Sequence, residues 1–285
     1  MRKEKHIFGL EIVRAVAILS VLLAHLFYLF RIKVGPLEQM FVWDGVIIFF
    51  VLSGYLIGGI LLRATEEPFG FRELRSFWMR RWFRTLPAYF AVVFLLVAHF
   101  VWIHGWSSRL VEYFFFLQSI GNGQAPFYPE SWSLCVEEWF YLLVPIAMLA
   151  APRRNRKYAV LGGIITVILL GTGWRLWQVA TNYPLYQKLL LNRQPFARFD
   201  GIAFGLLAAW MQHFSVVRHK RRLFWAGLLL LLLMQVNVSF YGQNTLARYG
   251  WCTLFPMGTM LTLPYLATVK TGSGVFSRFV SFTAL

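Results

Sequence analysis

Arg14 and His25 stand eleven residues apart inside one apolar run. On a helix that spacing is close to three turns, so both face the same side, roughly 16 Å apart along the axis. They are therefore not direct partners. An ionisable group inside an apolar span is costly and marks a functional position by default. A neutral imidazole near a wet outer vestibule can act as a general base; the plain alternative for His25 is a structural hydrogen-bonding role. Arg14 either works inside the protein or snorkels to the inner headgroups. Glu137 and Glu138 lie one turn into the apolar stretch SWSLCVEEWFYLLVP. Adjacent helical residues point in different directions, so they do not form a clean acid/base pair, and a buried carboxylate among them pairs with His25 or with an arginine. In MRRWFRTLP, Arg80, Arg81 and Arg84 fall on neighbouring helical positions. Planar guanidiniums at this spacing suit the phosphates of a cytosolic nucleotide-containing donor, or contact with anionic lipid.

Other polar residues carry weaker signals. Asp44, at the outer end of a second apolar run, either holds a positive group or is solvated. Ser53 with Gly54, Gly58 and Gly59 lets helices approach closely. Arg198 and Asp200, in RFDG, bridge helices or bind substrate, with a structural role favoured. His99, His104, His213 and His219 sit near run ends and are read as interfacial. Cys135 and Cys252 lie in or near separate runs without metal-ligand spacing; both are expected to be small buried hydrophobes, and no metal is expected.

The elements that must position these groups are membrane spans. Of 285 residues 58% are hydrophobic and only 14% charged, well below the ~25% charged of a soluble domain. Apolar runs near 12–30, 41–62, 86–104, 132–151, 159–173, 199–214, 223–241 and 250–269 give an expectation of eight spans in an all-α polytopic bundle. Residues 109–120 are apolar but short, and read as a re-entrant or interfacial helix. The first run lacks a small-residue cleavage site, so it is expected to be a retained helix. A partial ninth span begins near Phe279.

Charge sets the expected orientation. With the N-terminus cytoplasmic, most Lys and Arg residues fall in the inside segments, including 63–85, 152–158 and 217–222, as the positive-inside rule requires. The net charge of +16 thus reflects membrane topology, and nucleic acid is not an expected partner. The segments 31–40, 105–131 and 174–198 then lie outside. The last two form a sugar-binding mouth or plain aromatic belts.

Taken in order, the motifs resemble the acyltransferase-3 family of integral membrane acyltransferases over essentially the whole chain. Arg14 and His25 match its Arg, ten residues, His signature, and FFVLSG at 49–54 a characteristic stretch. Arg81, Arg84 and Pro87 match an Arg-x-x-Arg-x-x-Pro element. Trp132, Ser133, Glu137 and Glu138 match Trp-Ser-Leu-x-x-Glu-Glu-x-Phe-Tyr, and RFDGIAFG an Arg-x-Asp segment. Two departures stand out. The acid that family members often carry before Phe-Phe is replaced by Ile47, with Asp44 the nearest carboxylate. The family's ten-span fold also continues for two helices that residues 1–285, read as one acyltransferase-like domain, would lack.

The resemblance implies a bacterial inner-membrane O-acyltransferase with no tightly bound cofactor. Acyl-CoA, commonly acetyl-CoA, would be the co-substrate, and a hydroxyl of an extracytoplasmic glycan or lipid-linked sugar the acceptor. Arg81 and Arg84, with Arg14, would bind donor phosphates. His25 would take the hydroxyl proton or carry the acyl group, with Glu137 or Glu138 orienting it. Asp44, Ser53, Trp132, Ser133, Arg198 and Asp200 would contact substrate or support the fold. The rival classes are a transporter of a lipid-linked saccharide or other polar solute, and a non-catalytic scaffold; no internal repeat supports a transporter.

Overall fold

A computed structural model describes residues 7–32, 35, 39–64, 70–120, 127–181, 193–241 and 245–269. Its α-helices are α1 (Phe8–Leu29), α2 (Gly45–Ala64), α3 (Phe71–His104), α4 (Trp132–Ala150), α5 (Arg156–Ala180), α6 (Pro195–His213), α7 (Lys220–Tyr241) and α8 (Thr245–Leu266). Short 3-10 helices lie at Ser108–Phe115, Pro129–Ser131 and Arg153–Asn155.

The expectation of eight spans and part of a ninth is corrected. Among the described residues, five helices are long and apolar enough to cross a membrane: Phe8–Leu29, Gly45–Ala64, Phe71–His104, Pro129–Ala150 and Arg156–Trp177. The runs at 199–214, 223–241 and 250–269 do become the helices α6, α7 and α8, but none of them is among those five. α6 carries Arg198, Asp200, Gln212 and His213, α7 carries Gln235, Asn237 and Ser239, and α8 contains Pro256 and Pro264 with Thr259 and Thr262. The segment from Phe279 lies outside the described residues.

Two boundaries also move. The apolar run expected to begin near residue 86 belongs to a helix that starts at Phe71, so α3 runs unbroken for 34 residues through Pro87. At 1.5 Å per residue it is about 51 Å long, more than the ~30 Å hydrocarbon core. Its arginine-bearing first half therefore has room beyond the apolar layer. Glu73 starts it by accepting a hydrogen bond from the Gly70 backbone N–H at 3.0 Å. The run 159–173 extends to α5, 25 residues long, because Arg175 is accommodated inside the protein instead of ending the helix. The 109–120 segment forms the eight-residue 3-10 helix, about 16 Å long and too short to cross.

The chain divides into two compact units: residues 1–60 with 201–285, and residues 61–200. In the first, α2 and α6 meet backbone to backbone. A Cβ added at Gly54 would collide with the Ile202 carbonyl, and one at Gly205 with the Val51 carbonyl, so only glycine permits the approach. Tyr55 donates to Gln212 Oε1 at 2.5 Å across the same seam. From α7, Gln235 Nε2 donates to the carbonyls of Gln39 at 2.6 Å and Val42 at 3.1 Å, holding the segment that leads into α2. Buried amides at this depth would otherwise lose their hydrogen bonds to water.

In the second unit the 3-10 helix packs on α3 and α4. Tyr89 donates to the Tyr113 carbonyl at 2.8 Å. Phe116 ends the turn in the left-handed region (φ 55°), which aims its carbonyl at α4, where Trp139 Nε1 donates at 2.9 Å and Cys135 Sγ at 2.8 Å. Gln118 Nε2 reaches Ser131 Oγ at 3.2 Å. Burial pushes the Tyr113 phenol up to about 12, with a backbone contact from Tyr128 opposing, so Tyr113 stays neutral.

Candidate active site

The second unit joins three of the charged residues singled out from sequence. Arg81 on α3 donates from Nη2 to Glu137 Oε2 at 2.8 Å, and its Nε lies 3.8 Å from Glu138 Oε1. Adjacent glutamates diverge by about 100° around a helix, yet a guanidinium on the facing helix is broad enough to face both. Aromatic residues complete the setting. Tyr141, one turn after Glu137, donates its hydroxyl to Glu137 Oε2 at 2.9 Å. The Arg81 guanidinium lies over the Tyr141 ring, 3.2 Å from its centroid. Trp82 Nε1 donates to Glu138 Oε2 at 3.1 Å, Trp78 Nε1 donates to the Tyr141 carbonyl at 2.9 Å, and the two indoles stack at 5.9 Å.

This cluster is formally unbalanced, with one guanidinium between two carboxylates. Glu138 is buried, its Oε1 lacks a hydrogen-bond partner, and Arg81 and Glu137 are each about one-fifth exposed. Such a site can hold an extra proton or meet an incoming positive or donor group, because one acceptor is already desolvated and unused.

Arg80 and Arg84 do not join it. Both are exposed on α3, and Arg80 donates to Ser76 Oγ at 2.8 Å. Asp200 pairs with Arg175, both side chains 1% exposed, while Arg198 lies over the Trp132 ring at 5.7 Å. Arg175 further donates to the Ala197 carbonyl at 2.8 Å and to Thr172 Oγ1 at 3.4 Å, clamping α5 to the first turn of α6. Ser133 donates to the Glu130 carbonyl at 3.3 Å, a local bond at the start of α4.

In the first unit, Arg14 is half-buried and His25 exposed on α1. His25 Nδ1 is 2.8 Å from the Val21 carbonyl oxygen. A carbonyl only accepts, so in this contact Nδ1 carries the proton and a neutral ring keeps its lone pair on Nε2. The helix backbone itself thereby fixes the tautomer a general base needs. Asp44 Oδ1 accepts the Ile47 backbone N–H at 3.1 Å, making it the N-cap of α2. Ser53 is half-buried within α2.

Sequence reading missed Trp78, Trp82, Tyr141 and Arg175. The i, i+4 spacing of Trp78 with Trp82 and of Glu137 with Tyr141 was the available signal. Nothing local marked Arg175, which lies just past the apolar run.

Comparison with known proteins shows the family. A family profile described as an acyltransferase domain matches residues 7–281. The chain is 28% identical, over 99% of its length, to the peptidoglycan O-acetyltransferase OatA of Listeria monocytogenes, spanning 47% of that protein. It is 29% identical over 60% of its length to a putative O-acetyltransferase of Staphylococcus aureus, covering 30% of it. It is 30% identical over 58% of its length to the putative peptidoglycan O-acetyltransferase YrhL of Bacillus subtilis, covering 27% of it. The chain thus spans less than half the length of these curated relatives. No solved structure matches it.

Proposed function

This chain belongs to the acyltransferase-3 family, whose domain covers residues 7–281, and from that premise we propose that it moves an acyl group, acetyl first among candidates, from cytoplasmic acyl-CoA to a hydroxyl of an extracytoplasmic glycan or glycolipid. The names of its relatives make peptidoglycan the first acceptor to test. The observation that carries the reading is His25, whose Nδ1 is committed to the Val21 carbonyl and whose Nε2 is left as the basic nitrogen.

In this reading Nε2 removes the proton of the acceptor hydroxyl. The freed oxygen attacks the thioester carbonyl, the new C–O bond forms as the C–S bond breaks, and the departing thiolate takes up the proton held on Nε2, which restores the neutral ring. Arg14 and the exposed Arg84 meet donor phosphates. Arg81, held by Glu137, positions the two carboxylates and the aromatic residues around them, and the spare Glu138 oxygen is the group able to take or pass a proton there. Trp132 with Arg198 above it, and Ser133, border the start of α4 as acceptor-side contacts. The protein sits in the bacterial inner membrane with its N-terminus cytoplasmic, a reading supported by its basic inside segments.

The test uses membranes containing the protein, radiolabelled acetyl-CoA and the host's glycan fraction. Label should enter glycan with the wild type and fall at least a hundredfold with His25→Ala at matched folded protein. Equal labelling by His25→Ala would sink the His25 mechanism and keep acyl transfer. No labelling by folded wild type across a range of acyl donors would overturn acyl transfer and return the transporter reading.

A further inference from the structure

Arg218, Lys220, Arg221 and Arg222, with Trp225 and Tyr265, line an open cleft of about 620 Å³ where α7 begins and α8 ends. Among the described residues no carboxylate lines this cleft or pairs with any of the four cations. The first turn of α7, which holds three of them, contains no acidic residue. Positive charge is disfavoured at that end of a helix, because the free N–H groups there are themselves partly positive. Like charges at neighbouring positions therefore repel each other and the helix end together. An anion in the cleft would relieve both terms, and no protein group among the described residues does so.

The cleft is also built, not merely charged. Tyr265 packs on Phe224 with ring centroids 5.0 Å apart, and Thr268 Oγ1 donates to the Tyr265 carbonyl at 2.6 Å, which fixes one wall. Below it, a Cβ added at Gly227 would come within 2.6 Å of the Gly258 carbonyl oxygen, so the α7–α8 pair closes tightly and holds the mouth in place. The Trp225 indole, 56% exposed, stands one turn beyond Arg221. Arginines that only mark orientation need neither a cleft nor aromatic walls. The volume falls within the range of small-molecule sites, about 300–1,000 Å³.

We propose that this cleft binds phosphate groups, held by the paired donors of Arg218, Arg221 and Arg222. The phosphates belong either to a nucleotide such as coenzyme A or to an anionic lipid headgroup. The proposal goes beyond the acyl-transfer reading and survives its failure, because its readout is binding and not turnover.

The experiment is isothermal titration of the purified full chain in neutral detergent with two probes, coenzyme A and dihexanoyl phosphatidylglycerol, with dihexanoyl phosphatidylcholine as the uncharged reference. The Arg221→Gln/Arg222→Gln pair alters two exposed side chains, and Arg218→Gln supplies a second variant outside the helix. Arg154→Gln, an exposed cation elsewhere, is the control. The expected result is at least a tenfold weaker Kd for one probe in the double variant, several-fold in Arg218→Gln, and less than twofold in Arg154→Gln, with melting temperatures retained. Loss for coenzyme A assigns a nucleotide source; loss for phosphatidylglycerol alone assigns a lipid source. Wild type that binds neither probe, a double variant within twofold of wild type for both, or an equal loss in Arg154→Gln overturns the site.

Discussion

Arg175 and Arg81 each meet a carboxylate across a pair of helices in the same unit, and the two sites differ in exposure and in the number of carboxylates the guanidinium faces. Arg175 pairs with Asp200, both 1% exposed, and the guanidinium also donates to Ala197 and Thr172. Gly171 leaves the room that Asp200 occupies, since a Cβ there would lie 3.1 Å from the aspartate Cβ. Arg81 faces two carboxylates, is 20% exposed, and leaves Glu138 Oε1 unsatisfied. Breaking an enclosed ion pair strands a buried charge, so such a pair is a fixture of the fold. An unbalanced, partly open cluster keeps capacity for a further proton or ligand. On the proposed reading, the same residue types serve structure in one place and reactivity in the other.

The contrast can be broken most sharply at Asp200. Asp200→Ala should lower stability by about 3–5 kcal/mol, since it leaves Arg175 uncompensated, and should be seen as loss of monodisperse protein after a heating series in detergent. A melting profile like wild type would end the distinction. Next, Glu137→Gln should leave the melting temperature within a few degrees while reducing glycan labelling at least tenfold; a stability loss as large as that of Asp200→Ala would make both sites structural. Glu138→Gln removes the excess negative charge, so stability should be unchanged or slightly higher, with a smaller activity loss than Glu137→Gln. Trp82→Phe deletes one hydrogen bond to Glu138 and should cost about 1 kcal/mol, read by the same melting series. Smallest of all, Arg84→Gln on the exposed face should stay within about 0.5 kcal/mol of wild type; a raised KM for acyl-CoA with kcat retained would sharpen its role as a donor contact.

Local features of α1 and α2 were legible in the sequence. Arg14 and His25 share a helix face because eleven residues make nearly three turns, and the expected close approach at Gly54 is realised against Ile202. The span count was not legible. A run of apolar residues does not show what its polar side chains will meet: Gln235 donates from Nε2 to the carbonyls of the distant residues Gln39 and Val42. Likewise the run ending at 173 stopped early because a lone arginine reads as an exit from the apolar layer, and nothing near it in sequence announces Asp200.

By itself, then, the sequence determined the helical, membrane-crossing character of the chain, the shared face of Arg14 and His25, and the pairing of motif with family. These depend on local periodicity and on residue types at fixed spacing. Only the tertiary structure decided that Arg81 turns to Glu137 and Glu138, that Asp200 pairs with Arg175 on another helix, and that the four cations at 218–222 line a cleft. Partner choice among charges is settled by which helices pack and which groups lose water together, and that information lies between segments far apart in the chain.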